Sequence, residues 1–193
     1  NPSVPAKNVA EFIAYAKSRP GKLNYTSAGA GSPFHLAAEL FNSAAGTRLV
    51  HVPYKGGAPA ITDVIGGQAE VTFANIVAVM PHIASGRLRA LGITSRTRSS
   101  AYPDIPTIAE QGLKDYEFLS WYGVLGPKGL PPALSAQISA DIKEVLSSTP
   151  VQNRFKGEGA QMIATGPKEF ASFISAETER WRQVVKATGM KAD

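Results

Sequence analysis

The feature that most restricts the fold is an alternation between residues 22 and 95, where short β-like runs and helix-like runs follow one another across brief turns. "KLNYTS" (22–27) reads as a short strand, and after a glycine-containing turn Leu36, Leu40 and Ala44, beside Ala37 and Phe41, form one helical stripe. The order then repeats: "RLVHVPY" (48–54) as strand, "GAPAITDVIGG" (57–67) as helix, "AEVTFANI" (69–76) as strand, "VAVMPHIASG" (77–86) as helix and "LRALGITS" (88–95) as strand. Strands that alternate with helices imply a doubly wound, mostly parallel α/β sheet covered on both faces. No fixed-period repeat accompanies the pattern, which favours an open sheet over a solenoid or a closed barrel. Ahead of it, "NVAEFIAYAKSRPGK" places Val9, Phe12, Ile13 and Ala16 on one face, with Asn8 and Glu11 spaced as a capping box and Pro20-Gly21 as a stop.

From Arg96 the texture changes to a Ser-, Pro- and Gly-rich stretch, followed by a strand-like run "FLSWYGVLGP" (118–127). Two helical segments come next, one with Ile138, Ile142, Val145 and Leu146, the other with Phe170, Phe173, Ile174, Trp181, Val184 and Val185. The second opens with Gly166-Pro167 and Glu169, a cap, a first-turn proline and an N3 acid. Only one short candidate strand, "AQMIA" (160–164), lies between these bulky apolar faces, so the sequence leaves them short of a packing partner.

Composition narrows the chemistry. The 193 residues contain no cysteine, which removes disulfides, thiolate nucleophiles and Cys-ligated metals. The formal charge of +5 favours anionic partners in general. The longest apolar run, "IVAVM" (76–80), stops at Pro81, far short of the ~20 residues of a membrane span. The opening "NPSVPAKN" has neither the basic nor the apolar region of a signal peptide, so any such segment is expected outside these residues.

The turn "SAGAGS", Ser27, Ala28, Gly29, Ala30, Gly31 and Ser32, leads into a helix, and a helix N-terminus preceded by flexible backbone suits an anion. A phosphate loop is not supported, because no Gly-Lys-Ser/Thr follows, and Phe34 occupies the last glycine of the dinucleotide pattern. A carboxylate fits better; a tight connection capped by Ser32 fits the same spacing. His35, three residues after Ser32, raises a hydrolase reading, but G-x-S-x-G is absent and a local or pocket-lining role fits the position better. His35, His51 and His82 lack metal-binding spacing, so no metal is expected. Carboxylates such as Asp63, Glu70, Asp104 and Glu110 are scattered and read as solvated surface. Arg87, Arg89, Arg96 and Arg98 have no interleaved aromatics, which argues for a solvated edge and against nucleic acid. In parallel sheets the ligand edge is the one at the strands' carboxyl ends. Tyr54, Lys55 and Gly56 follow one predicted strand there, and Phe73, Ala74 and Asn75 end another, so three connections are expected on one rim.

The stretches "KLNYTSAGAGSPFHLAAELF", "VHVPYKGGAPAITDVIGGQAEVTFANI", "LRALGITS", "PDIPTIAEQG", "SWYGVLGPKGLPP" and "WRQVVKATGMKAD" together resemble the Bug-type (TctC-like) periplasmic solute receptors of tripartite tricarboxylate transporters. The resemblance runs the length of the chain. It implies a type II periplasmic-binding-protein-like fold that closes on a small carboxylate, with membrane permease subunits as partners, a periplasmic location, and neither catalysis nor cofactor. It implies that residues 1–120 form one contiguous α/β ligand-binding lobe, the family's second. Residues 121–193 would supply a crossover strand and C-terminal helices of an incomplete first lobe, whose leading segment is expected outside these residues. On this mapping Ser27 to Ser32 and His35 contribute to the ligand cleft, Tyr54, Lys55 and Gly56 form its rim, and Phe73, Ala74 and Asn75 its floor. Pro33-Phe34 stands where smaller or polar residues are usual in the family, and Ala74 where aspartate is common, which points to a plain mono- or dicarboxylate. A sensor subunit that binds the same ligands for a signalling protein is the alternative role, a hydrolase using Ser32 and His35 a further one. Self-association through the C-terminal helices would cover their apolar faces.

Overall fold

The computed structural model describes residues 1–157 and 160–190. The elements are α1 (Val9–Ser18), β1 (Asn24–Ser27), α2 (Pro33–Ala45), β2 (Val50–Pro53), α3 (Gly57–Ile65), β3 (Val71–Thr72) and α4 (Ile76–Ala84), then α5 (Pro132–Ser147), α6 (Thr149–Gly157) and α7 (Pro167–Thr188). The three strands form a parallel sheet in the order β2-β1-β3. Two compact units are separable, Asn1–Ser120 making most of one and Trp121–Ala187 the other.

In the first unit the local signals act as the sequence suggests. Asn8 caps α1 by accepting from the Glu11 N–H at 2.8 Å, and the Glu11 carboxylate returns to the Lys7 N–H at 2.7 Å and the Asn8 side chain at 2.8 Å. β1 is the central strand, and its alternation divides the core. Tyr25 turns toward α2, where its hydroxyl donates to Glu39 at 2.6 Å; Thr26 turns the other way and donates to the Ala60 carbonyl of α3 at 3.0 Å. On the α2 side Phe41 is the hub, with ring centroids 6.0 Å from Phe12, 5.4 Å from Phe73 and 6.1 Å from Tyr116. On the α3 side Ile61, Val64, Ala69 and Leu88 pack with Ile83 and Ala74. This sheet, covered on both faces and followed by C-terminal helices, is the α/β architecture expected.

Several expected strands are absent. Leu88 to Ser95 forms only an isolated parallel bridge, Ile93 to Thr107. Its polar groups are met by other means: Ile93 N–H donates to Pro106 O at 2.9 Å, and the Gln111 amide donates to Leu91 O at 2.8 Å. Residues 118–127 form no strand, and Tyr122, Val124 and Leu125 are exposed. Residues 160–164 form no strand either, and Ala164, at φ 49, leaves the extended region. Helix α6 was not foreseen, because Val151 and Phe155 are the only large apolar residues in its nine and make no stripe. The basic run is not simply a solvated edge. Arg89 donates to the carbonyls of Ala6 at 2.9 Å and Val4 at 3.2 Å, while Arg96 and Arg98 pair with Glu117 and Glu110.

In the second unit Trp121 packs edge-on against Phe170 and Phe173, at centroid distances of 5.6 and 5.2 Å. Gly123 is required beside them, since a Cβ there would lie 2.0 Å from the Phe170 ring. Leu134, Ile138 and Val145 of α5 are exposed.

Candidate functional site at the carboxyl edge of the sheet

The sheet order brings the three expected connections to one edge. β1 runs into residues 28–32, β2 into Tyr54, Lys55 and Gly56, and β3 into Phe73, Ala74 and Asn75, with β1 between the other two. The first two connections are hydrogen-bonded together, Tyr54 N–H to Ser27 O at 3.0 Å and Gly56 N–H to Ala28 O at 3.3 Å. Each leads directly into a helix N-terminus, so the positive ends of α2, α3 and α4 share the edge.

The turn itself is tightly specified. Gly29 has φ 126 and Gly31 has φ 76, both left-handed values that favour glycine. Gly29 N–H donates to Ser27 Oγ at 3.2 Å, Gly31 N–H donates to His35 Nδ1 at 3.0 Å, and Ser32 N–H donates to Gly29 O at 3.2 Å. The glycine amides are therefore engaged within the turn. Among the described residues, the N–H groups of Ala28 and Ala30 have no partner, and α3 begins at Gly56 with no side-chain cap. Donors with no protein acceptor, placed at helix N-termini, suit an anion.

The other expected residues sort by what their side chains touch. Ser32 caps α2, its Oγ accepting from His35 N–H at 3.4 Å. Because Ser32 faces that backbone group and His35 Nδ1 holds Gly31, the two are not arranged as nucleophile and base. Tyr54 donates to Asp63 at 2.5 Å, and that hydrogen bond, more than its slight burial, raises the phenol above its ordinary range. Lys55 is exposed with no ion pair among the described residues. Phe73 turns its ring to Phe41 and Ala74 packs against the α3-side core, while both stay half-buried at the rim. Asn75 caps α4, accepting from Val77 N–H at 3.1 Å. Phe34 lies against Gly57, where a Cβ would stand 3.3 Å from its ring.

His51 is the residue the sequence reading passed over. Its Nε2 is 2.6 Å from Ser27 Oγ, and its ring stacks on His35 at 3.8 Å and on Tyr25 at 5.0 Å. Its parallel register partner is Tyr25, and only that pairing reveals its place beside the turn. Among the described residues no three His, Asp or Glu side chains are grouped to hold a metal.

A parallel α/β sheet with its connections gathered at the carboxyl edge belongs to the class of open α/β folds. Within that class the chain belongs to the tripartite tricarboxylate transporter family receptors, whose model matches residues 1–190. It is 37% identical to BugT of Bordetella pertussis strain Tohama I over 191 residues, covering 99% of this chain and 59% of BugT. Its fold matches R. palustris Rpa4515 with adipate at a TM-score of 0.91 and 34% identity, covering 97% of this chain and 63% of that one. It also matches MatC from Rhodopseudomonas palustris with bound malate at a TM-score of 0.82 and 29% identity, covering 94% and 63%. The chain thus spans about three fifths of each of these three proteins. The family resemblance drawn from the sequence motifs and the α/β fold expected with it are both confirmed.

Proposed function

We propose that this chain is the ligand-binding part of a periplasmic receptor that captures a small carboxylate and delivers it to the permease subunits of a tripartite tricarboxylate-type transporter, without chemistry and without a cofactor. The observation that carries the reading is the carboxyl edge: the open amides of Ala28 and Ala30, the uncapped start of α3, and Lys55. Relatives with bound adipate and malate supply the ligand class. Phe34 against Gly57 adds an apolar surface beside these donors, which favours a carboxylate with a hydrocarbon body. Ser27 to Ser32 with His35, Tyr54 to Gly56, and Phe73, Ala74 and Asn75 are the proposed ligand-facing positions.

Two or three charge-assisted hydrogen bonds contribute ~1.5–3 kcal/mol each. After the cost of association they fall short of the ~8 kcal/mol behind micromolar affinity. These 193 residues alone are expected to bind no tighter than millimolar. An amide NMR titration with adipate, malate and benzoate is the test. Shifts centred on 28–32 and 55–58 support the reading; saturating additions that leave those amides unmoved overturn it.

A second proposal concerns self-association, favoured by the exposed Leu134, Ile138 and Val145 of α5 and Val124 and Leu125 ahead of it. Sedimentation should show concentration-dependent dimers, and a strict monomer at high concentration would rule them out.

A further inference from the structure

We propose that His51 is a positioning residue for the turn: through Ser27 it fixes the Gly29 peptide, and so the placement of the flanking Ala28 and Ala30 amides. The inference about ligand binding rests on the carboxylate reading, whereas the hold on the turn stands without it.

Ser27 is fully buried, and its Oγ has three neighbours: Gly29 N–H at 3.2 Å, Gly29 O at 3.0 Å and His51 Nε2 at 2.6 Å. A serine hydroxyl has one hydrogen to give and two lone pairs to receive. Gly29 N–H fills one lone pair and Gly29 O takes the hydrogen. The remaining lone pair needs a donor, which assigns the proton of His51 to Nε2. With that proton in place all three contacts are hydrogen bonds. If the proton were on Nδ1 alone, Ser27 would turn its hydrogen to His51 and release the Gly29 carbonyl.

This hold is needed at Gly29. Without a Cβ, Gly29 reaches φ 126 freely, and the same freedom leaves the placement of its peptide to the contacts around it. His35 plays the matching part at Gly31 through Nδ1, and His51 stacks on His35 with centroids 3.8 Å apart and planes 14° apart. Two stacked imidazoles, one from β2 and one from α2, therefore hold the peptides on either side of Ala30. Tyr25, stacked on His51 and hydrogen-bonded to Glu39, fixes the ring from the strand side.

The experiment uses the full 193-residue chain with His51→Phe, which keeps a ring, and His51→Gln, whose amide nitrogen reaches about as far as Nε2. Ligand-free amide exchange at Gly29 should accelerate about tenfold in His51→Phe, the population change expected from losing one hydrogen bond, and return toward the natural rate in His51→Gln. Ser27→Ala should accelerate Gly29 as His51→Phe does, and the double variant should add little. Equal Gly29 exchange in the natural chain and His51→Phe, or no recovery in His51→Gln, overturns the proposal. A long-range proton–nitrogen spectrum of the unaltered chain needs no variant to fold: a protonated His51 Nε2 is expected, and an unprotonated one contradicts the assignment. Adipate titration separates the two readings. No adipate shifts in the unaltered chain would remove the carboxylate reading while the exchange result still decides the hold; weaker adipate binding in His51→Phe, rescued in His51→Gln, supports both.

Discussion

Replacing Gly29 by alanine should destabilise the first unit by about 2 kcal/mol, and the reason is conformational more than steric. A Cβ at Gly29 would lie 3.5 Å from Tyr54 O, an ordinary contact, so room is not the obstacle. The obstacle is φ 126, which lies beyond the left-handed helical region that alanine visits at modest cost. Holding alanine there costs ~1–3 kcal/mol. The alternative is to relax the turn and lose the two bonds between Gly29 and Ser27 Oγ, at ~0.5–1.5 kcal/mol each. Both routes arrive at a similar figure, which is why about 2 is the expected loss. With a urea slope of ~1–3 kcal/mol/M, the midpoint should fall by roughly 1 M, read from amides of residues 1–120 so that this unit is followed by itself. Gly31→Ala, at φ 76, should cost only ~1–2 kcal/mol, and Gly31→Asn less, because asparagine tolerates that region. A Gly29→Ala midpoint within ~0.2 M of the natural one, or a Gly31→Ala loss exceeding it, would refute this account of the turn.

Phe41→Ala should cost ~3–5 kcal/mol, since it empties the hub shared by Phe12, Phe73 and Tyr116; a loss under ~1.5 in the same urea experiment would show that the core collapses around the gap. Alkaline stability should fall above about pH 10, where unfolded phenols ionise. Tyr25 and Tyr116 are held protonated in the fold, both chiefly by burial and Tyr25 further by its bond to Glu39. The folded state therefore retains protons the unfolded state has released, so the stabilisation present below that pH is lost as pH rises. Tyr116→Phe should make the decline shallower, and an unchanged slope would count against the assignment.

The sequence carried the parts of this structure that depend on near neighbours. Asn8 with Glu11, and Ser32 with the proline after it, mark helix starts by chemistry that acts within four residues. The three rim connections were legible because strand ends and helix starts adjoin in the chain. Sheet order was not, since strands of two to four residues hold no information about which neighbour each will choose. Residues 88–95 have a strand's pattern, yet Gln111, some 20 residues on, supplies a hydrogen bond a neighbouring strand would have made. His51 was passed over because it lies 24 residues from Ser27, and only the β1–β2 register brings them together. The resemblance puts Phe73 on the cleft floor, and its contact with Phe41 of α2, 32 residues before it in the chain, is a packing role no local pattern announces.

The hydrogen-bond accounting of the turn explains how one edge can be rigid and still receptive. A backbone rich in glycine offers many donors, but a mobile loop must lose entropy each time a ligand arrives. Here the acceptors that order the loop are internal: Ser27 Oγ for Gly29, His35 Nδ1 for Gly31, and Gly29 O for Ser32. They order alternate peptides, and the alanines between them keep their N–H groups without a protein partner. Charge then selects what those groups receive. Three helix N-termini, each equivalent to roughly half a positive charge, meet at this edge with Lys55 beside them. Asp63 is bonded to the rim through the Tyr54 hydroxyl, which donates to its carboxylate. The glycines thus shape and anchor the turn, and on the proposed function the alanine amides beside them are the groups left to meet a carboxylate.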